Sequence, residues 1–117
     1  MGYHYDLVAA RGRPTMSQQN GYWGKEDLLE FEPATAGGQE AYLGKAGSKH
    51  NPPLFADAVW ERSLLKSCDE TGSQYAAVTR AQVVDLCNEM PDNWAVENVR
   101  ALLQRHPDAE WFVLTGG

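Results

Sequence analysis

The stretch Thr79-Arg80-Ala81-Gln82-Val83-Val84-Asp85-Leu86-Cys87-Asn88-Glu89-Met90-Pro91 carries a start, a periodicity and a stop in one short run. Thr79 and Gln82 stand at capping-box spacing: the Thr hydroxyl accepts from a free backbone N–H, and the Gln side chain reaches back to the N-cap. Val83, Val84, Leu86, Cys87 and Met90 recur at helical intervals, with Arg80, Asp85, Asn88 and Glu89 between them. This spacing predicts a helix over 80–90 that buries the first group and wets the second. Pro91 ends it, because the residue before a proline avoids the helical region.

Working outward, Asp92 or Asn93 offers a cap for a second helix over 93–106, with Ala95, Val96, Val99, Leu102 and Leu103 on its apolar stripe. Arg100, Arg105 and His106 lie toward its C-terminal half, where positive charge suits the helix dipole. Trp111-Phe112-Val113-Leu114-Thr115 then reads as a strand apolar enough to be covered on both faces. Upstream, Gln74 to Val78 reads as a short strand. Leu54 to Lys66 reads as a helix, with Leu54, Phe55, Ala58, Val59 and Leu65 at helical spacing and Trp60 and Leu64 widening the stripe. Tyr3, Tyr5 and Leu7 alternate with His4, Asp6 and Val8, so the other end of the chain also reads as a strand.

The expected fold class is therefore α+β, a small sheet that includes both terminal strands with about three packed helices. Residues 1–117 are expected to form a single domain with two unlike parts: a helical half, 54–115, and a Gly- and aromatic-rich irregular half, 9–53. Trp60, Val84, Leu86, Val99, Leu102, Leu103, Phe112 and Leu114 are candidates for the core. A structureless run as long as 9–53 is improbable in a compact domain, so short elements are expected inside it, at Leu28 to Glu32 and Glu40 to Leu43.

Charge and composition exclude several functions. Sixteen acidic against ten basic residues leave a net charge of −6, opposite to the basic footprint of a nucleic-acid binder. No basic stretch followed by an apolar run opens the chain. No apolar run approaches the roughly 20 residues that span a bilayer. Cys68 and Cys87 make no disulfide framework, and a cytoplasmic chain with two thiols is expected.

Chemical motifs fail one after another. Gly37 to Ala46 departs from a phosphate loop, because five residues separate Gly38 from Gly44 and Ala46 stands where Ser or Thr would hold magnesium. No nucleophile elbow and no zinc-ligand spacing occurs, so no cofactor and no metal is expected. The helix pair 80–90 and 93–106 with the strand after it resembles a helix-turn-helix, which implies DNA binding through Asn93, Asn98, Arg100, Gln104 and Arg105. Leu114-Thr115-Gly116-Gly117 resembles the tail of ubiquitin-like and sulfur-carrier proteins, which implies a free, flexible end.

What remains is an acidic, aromatic segment suited to a protein partner. Glu26, Asp27 and Glu30 would form an acidic docking surface, and Tyr22, Trp23 and Tyr42 would be anchors beside turn-forming glycines. The expected function is a non-enzymatic protein-binding module, of the kind small viral or accessory inhibitors use to block a surface of a larger partner. The alternatives are a small enzyme or ligand-binding domain with a site under 9–53, using His4, Asp6 or His50, and the helix-turn-helix reading.

Overall fold

A computed structural model describes residues 4–21, 24–35, 37–50, 52–69 and 71–117. In chain order the strands and helices are β1 (His4–Ala9), β2 (Thr15–Gly21), β3 (Gly24–Glu30), β4 (Glu40–Lys45), α1 (Leu54–Arg62), β5 (Leu65–Cys68), β6 (Gln74–Thr79), α2 (Arg80–Glu89), α3 (Ala95–Arg105) and β7 (Trp111–Gly116). The fold is a mixed α+β domain with both terminal strands in its main sheet. No helix of the described residues is long and apolar enough to cross a membrane.

The main sheet has five strands in the order β4-β1-β7-β6-β5, every neighbour antiparallel. The two ends of the chain meet at its centre, with Asp6 opposite Thr115 and Leu7 opposite Leu114. Strand alternation then sorts the side chains. Leu7, Ala9, Ala41, Leu43, Ala76, Val78, Phe112 and Leu114 face the three helices and join Phe55, Val59, Val83, Leu86, Cys87, Val99 and Leu102 in the principal core. Val113, Ala77 and Ala10 face the other way, into a second cluster with Leu29. The double-sided apolarity expected for β7 is real, because a different layer covers each face.

The second cover is a β-hairpin. Strands β2 and β3 pair antiparallel from Thr15↔Glu30 to Gly21↔Gly24 and form a two-stranded sheet of their own. Its base is stitched to the main sheet. Ala10 bridges Pro33, the Arg11 N–H donates to the Glu32 carbonyl, and the Ala34 N–H donates to the Ala9 carbonyl. Arg13 lies over the Trp111 ring, 5.5 Å from its centroid. Residues 9–53, expected as a largely irregular half, thus hold three strands and part of a fourth. The glycines at 21 and 24 pair with each other across the hairpin.

Helix α2 begins as its sequence requires. The Thr79 hydroxyl accepts from the Gln82 N–H, and the Gln82 side chain accepts from the Thr79 N–H. Asn93 also supports its helix, since its Oδ1 accepts from the Ala95 N–H at 2.9 Å.

Several expectations need correction. Helix α1 stops at Arg62, because Ser63 turns extended and its hydroxyl donates to the Trp60 carbonyl; Leu65 then starts β5 on β6. Leu64 therefore leaves the apolar stripe and is 60% exposed, and Leu54 is also exposed. Val84 lies on the outer side of α2 and is exposed, while Trp60 is half-buried. Arg80 is not on the wet side. Its guanidinium donates to the carbonyls of Leu103, His106 and Ala109, around the C-terminus of α3. The Leu103 carbonyl is among the groups a helix end leaves without intrahelical partners, and a cation suits that end of the dipole.

Arg80→Ala should therefore lower stability by about 2–3 kcal/mol, the cost of losing a charged donor to half-buried carbonyls. Urea denaturation compared with the wild type measures it, and a loss below about 0.5 kcal/mol would show that water replaces the guanidinium.

Candidate functional site

The two faces of the main sheet are covered unequally. The helices close one face over β4, β1, β7 and β6. The β2–β3 hairpin covers only part of the other and extends beyond it.

On this face, register aligns Tyr42, Asp6, Thr115, Tyr75 and Ser67 in one row across all five strands, with Ser67 under the hairpin and the row open toward Thr115 and Asp6. His4, Asp6, Ser73, Tyr75 and Thr115 line an open trough of about 250 Å³ there. Asp6 is half-buried, and among the described residues no hydrogen bond or ion pair reaches its carboxylate. Burial raises its pKa above the ordinary 3.8, the Glu40 carboxylate raises it further, and His4 opposes both. Such a trough can accept a small hydrogen-bonding or cationic group. His4 and Asp6 share this trough, as their spacing on a strand requires. His50 is exposed in the segment before α1 and does not line it.

A larger groove, about 470 Å³, runs between the end of β1 and the α3–β7 turn and is lined by Arg11, Thr35, Arg105, His106, Asp108 and Glu110. Its cations and carboxylates offset one another. His106 is buried, and its Nε2 lies 3.1 Å from the Gly38 carbonyl, so it joins two loops as well as ending α3.

The acidic segment lies on the hairpin. Leu29 is buried against the sheet and its N–H donates to the Ser67 hydroxyl at 3.0 Å, while Met16, paired with Leu29, packs against the same cluster. Past this anchor the hairpin loses its support: Gln18, Gln19, Asn20, Gly24, Lys25 and Asp27 are all exposed, and they include residues from both of its faces. Glu26 and Glu30 share the face away from Leu29, and Asp27 lies on the other. Glu30 is held in place, with its Oε1 accepting from Ser17 Oγ and Gln19 Nε2, both at 2.8 Å. Tyr22 and Trp23 lie outside the described residues.

Tyr42 is 38% exposed but stands elsewhere, on β4 at the far edge of the main sheet. Its ring meets those of His4 and Trp94, with centroids at 5.9 and 5.8 Å. The hairpin lies against β5, at the opposite edge and about 19 Å away at ordinary strand spacing. The acidic residues and Tyr42 thus occupy separate surfaces.

Two features bear on the resemblances tested above. Asn98 Nδ2 donates to the Tyr42 carbonyl, and Arg105 donates to the carbonyls of Gly38 and Glu40, so two polar side chains of the would-be recognition helix are engaged along β4. Gly38 allows this approach, because a Cβ there would collide with the Arg105 side chain. Gly116 is a buried strand residue paired with Tyr5 and Gln74, and a Cβ on it would strike the Tyr5 ring. It is not part of a free tail. No family model matches the chain, and neither a curated protein nor a solved structure matches it.

Sequence reasoning missed Ser67, Asn98 and Arg105 as organising residues. Each acts through a backbone group distant in the chain, so nothing local marks it.

Two outcomes are expected here. Asp6 binds its proton more tightly in the folded chain, so its contribution to stability is present below its unfolded pKa and is lost as pH rises through the folded value. Asp6→Asn should remove that loss, so the variant gains on the wild type in urea denaturation as pH is raised from about 3 to 7; a constant difference between the two would refute the shift. Ser67→Ala leaves the buried Leu29 N–H without its acceptor and should cost about 1–3 kcal/mol. Amide exchange at Leu29 should accelerate more than at Leu114, and equal acceleration would mean that Ser67 does not anchor the hairpin separately.

Proposed function

We propose that the chain is a small, non-enzymatic protein-binding module that docks on a basic surface of a larger partner through its β2–β3 hairpin. The observation that carries this reading is the hairpin, exposed on both faces beyond Leu29 and bearing Glu26 and Asp27 there and Glu30 at its base. A lone two-stranded hairpin is marginal in water. A partner lying on it would supply the apolar and polar contacts that the rest of the chain withholds. Three carboxylates against the one amine of Lys25 give it a negative field, which speeds encounter with a positive surface. Tyr22 and Trp23, placed by the sequence between Gly21 and Gly24, supply the aromatic side chains that dominate binding energy at many interfaces. Tyr42, with His4 and Trp94, would belong to a second contact. An inhibitor or accessory role follows if the surface covered is one the partner needs.

The test is affinity capture from the native cell with the wild type and with a Glu26→Lys/Asp27→Lys/Glu30→Lys variant, whose circular dichroism establishes folding. The wild type should retain a defined partner at physiological salt. The variant should lose it, and a Trp23→Ala/Tyr42→Ala protein should weaken it. An identical set of captured proteins from wild type and charge-reversed chain would overturn the reading.

A further inference from the structure

An outer strand of a sheet offers unpaired N–H and C=O groups to any extended chain, and proteins ordinarily cover or shorten such edges. This chain does both in its main sheet. At β4, Asn98 and Arg105 of α3 reach the carbonyls of Tyr42, Glu40 and Gly38. At the other edge, β5 has four residues, and β3 lies against it with the Leu29 N–H on Ser67. Strand β2 differs. It has seven residues, and among the described residues its backbone hydrogen-bonds only to β3. It contains no proline, no lysine and no irregularity of register.

The phase of the hairpin shows which groups are free. The Leu29 N–H donates to Ser67 and so points away from β2. Met16↔Leu29 is therefore a non-hydrogen-bonded pair, and antiparallel alternation makes Gln18↔Asp27 and Asn20↔Lys25 the same. The N–H and C=O groups of Met16, Gln18 and Asn20 face outward along the open edge.

Two carboxylates overlie this strand. Glu30 is drawn across it by Ser17 and Gln19. Glu26 reaches back over Gly21, where a Cβ would overlap its carboxyl group. An added strand would lie about 4.8 Å from β2. Lys or Arg at alternate positions of that strand would share the face of Glu26 and Glu30 and come within their reach. A second copy of this chain fits poorly, because it brings another net charge of −6 and sets the same two glutamates on the same face.

We propose that β2 is a strand-addition edge that takes an extended segment of a partner protein with Lys or Arg at alternate positions. This rests on reading the chain as a protein-binding module and names the chemistry of its partner. Main-chain pairing with Met16, Gln18 and Asn20 supplies the affinity, and Glu26 and Glu30 select the side chains.

The experiment uses random heptapeptides displayed on phage and selected on the full chain. The most enriched peptide is then synthesised, and its affinity measured for the wild type, Gln18→Pro, Asn20→Pro and Glu26→Gln/Glu30→Gln. Proline at 18 or 20 removes an outward N–H and leaves the β2–β3 ladder intact, as edge positions allow; each variant's fold is checked by circular dichroism. Selection should enrich peptides with alternating Lys or Arg. Either proline should weaken binding by about tenfold or more, and the double glutamine variant should weaken it and flatten its salt dependence. Absence of that alternation, or unchanged affinity in a folded proline variant, overturns the proposal. So does a dimer in sedimentation that Gln18→Pro dissociates, which would assign the edge to a second copy. If a captured partner is lost on charge reversal but kept by Gln18→Pro, strand addition fails while the binding-module reading stands.

Discussion

The pairing of β1 with β7 is the constraint on which the rest of the molecule depends. It joins residues near 6 to residues near 115, so almost the whole chain must be gathered before the first of its hydrogen bonds forms. Once made, it provides both inner edges of the main sheet: β4 adds to the free side of β1, and β6 followed by β5 adds to the free side of β7. The pairing also explains why β7 is so apolar. Phe112 and Leu114 close the helical core, while Val113 between them closes the cluster beneath the hairpin. Where both layers cover the strand it has no wet face, and only past Val113 does Thr115 open onto the trough.

The two layers contribute differently. The helices cover one face over β4, β1, β7 and β6, with α2 held at its start by a capping box and α3 held at its end by Arg80. The hairpin is anchored along one half, by Leu29, Met16, the Ser67 hydroxyl and the stitch around Ala10 and Pro33. Beyond that it projects. Glu26, Asp27 and Glu30 all lie on this hairpin, while Arg13, just before it, lies over the Trp111 ring. Rigid support at one end and an open strand at the other make the hairpin the part of the chain best suited to meet something else.

Much of the helical half was legible in local signals. Thr79 with Gln82, the stripe from Ala95 to Leu103 and the run at Trp111 each carry their own start, face or end, and each appears close to where the pattern placed it. The errors fall where a tertiary contact outweighed a local pattern. Leu64 continues an apolar stripe on paper but lies past the point where Ser63 leaves the helix to let Leu65 pair with Ala77. Val84 has the right residue type for the core but points off the buried arc of α2. Arg80 looks like a solvent residue until the end of α3 and the turn after it bring three carbonyls to it. For the candidate site, the cluster of acids was visible as a cluster. Its division into a Glu26/Glu30 face and an Asp27 face, and its separation from Tyr42, required the register of β3 and the order of the main sheet.

The sequence by itself determined which segments are amphipathic, where α2 begins and ends, that both terminal segments are strands, and that the first half concentrates glycines. These are properties of neighbours within one or two turns, encoded in periodicity and capping. Only the tertiary structure decided that β1 lies beside β7, that α3 covers the edge of β4, that Ser67 holds Leu29, and that among the described residues the outward backbone of β2 has no partner. Backbone N–H and C=O groups are the same in nearly every residue, so no side-chain pattern records which of them find partners. That is settled when distant strands choose their neighbours, and among the described residues the same choice leaves the outward side of β2 open.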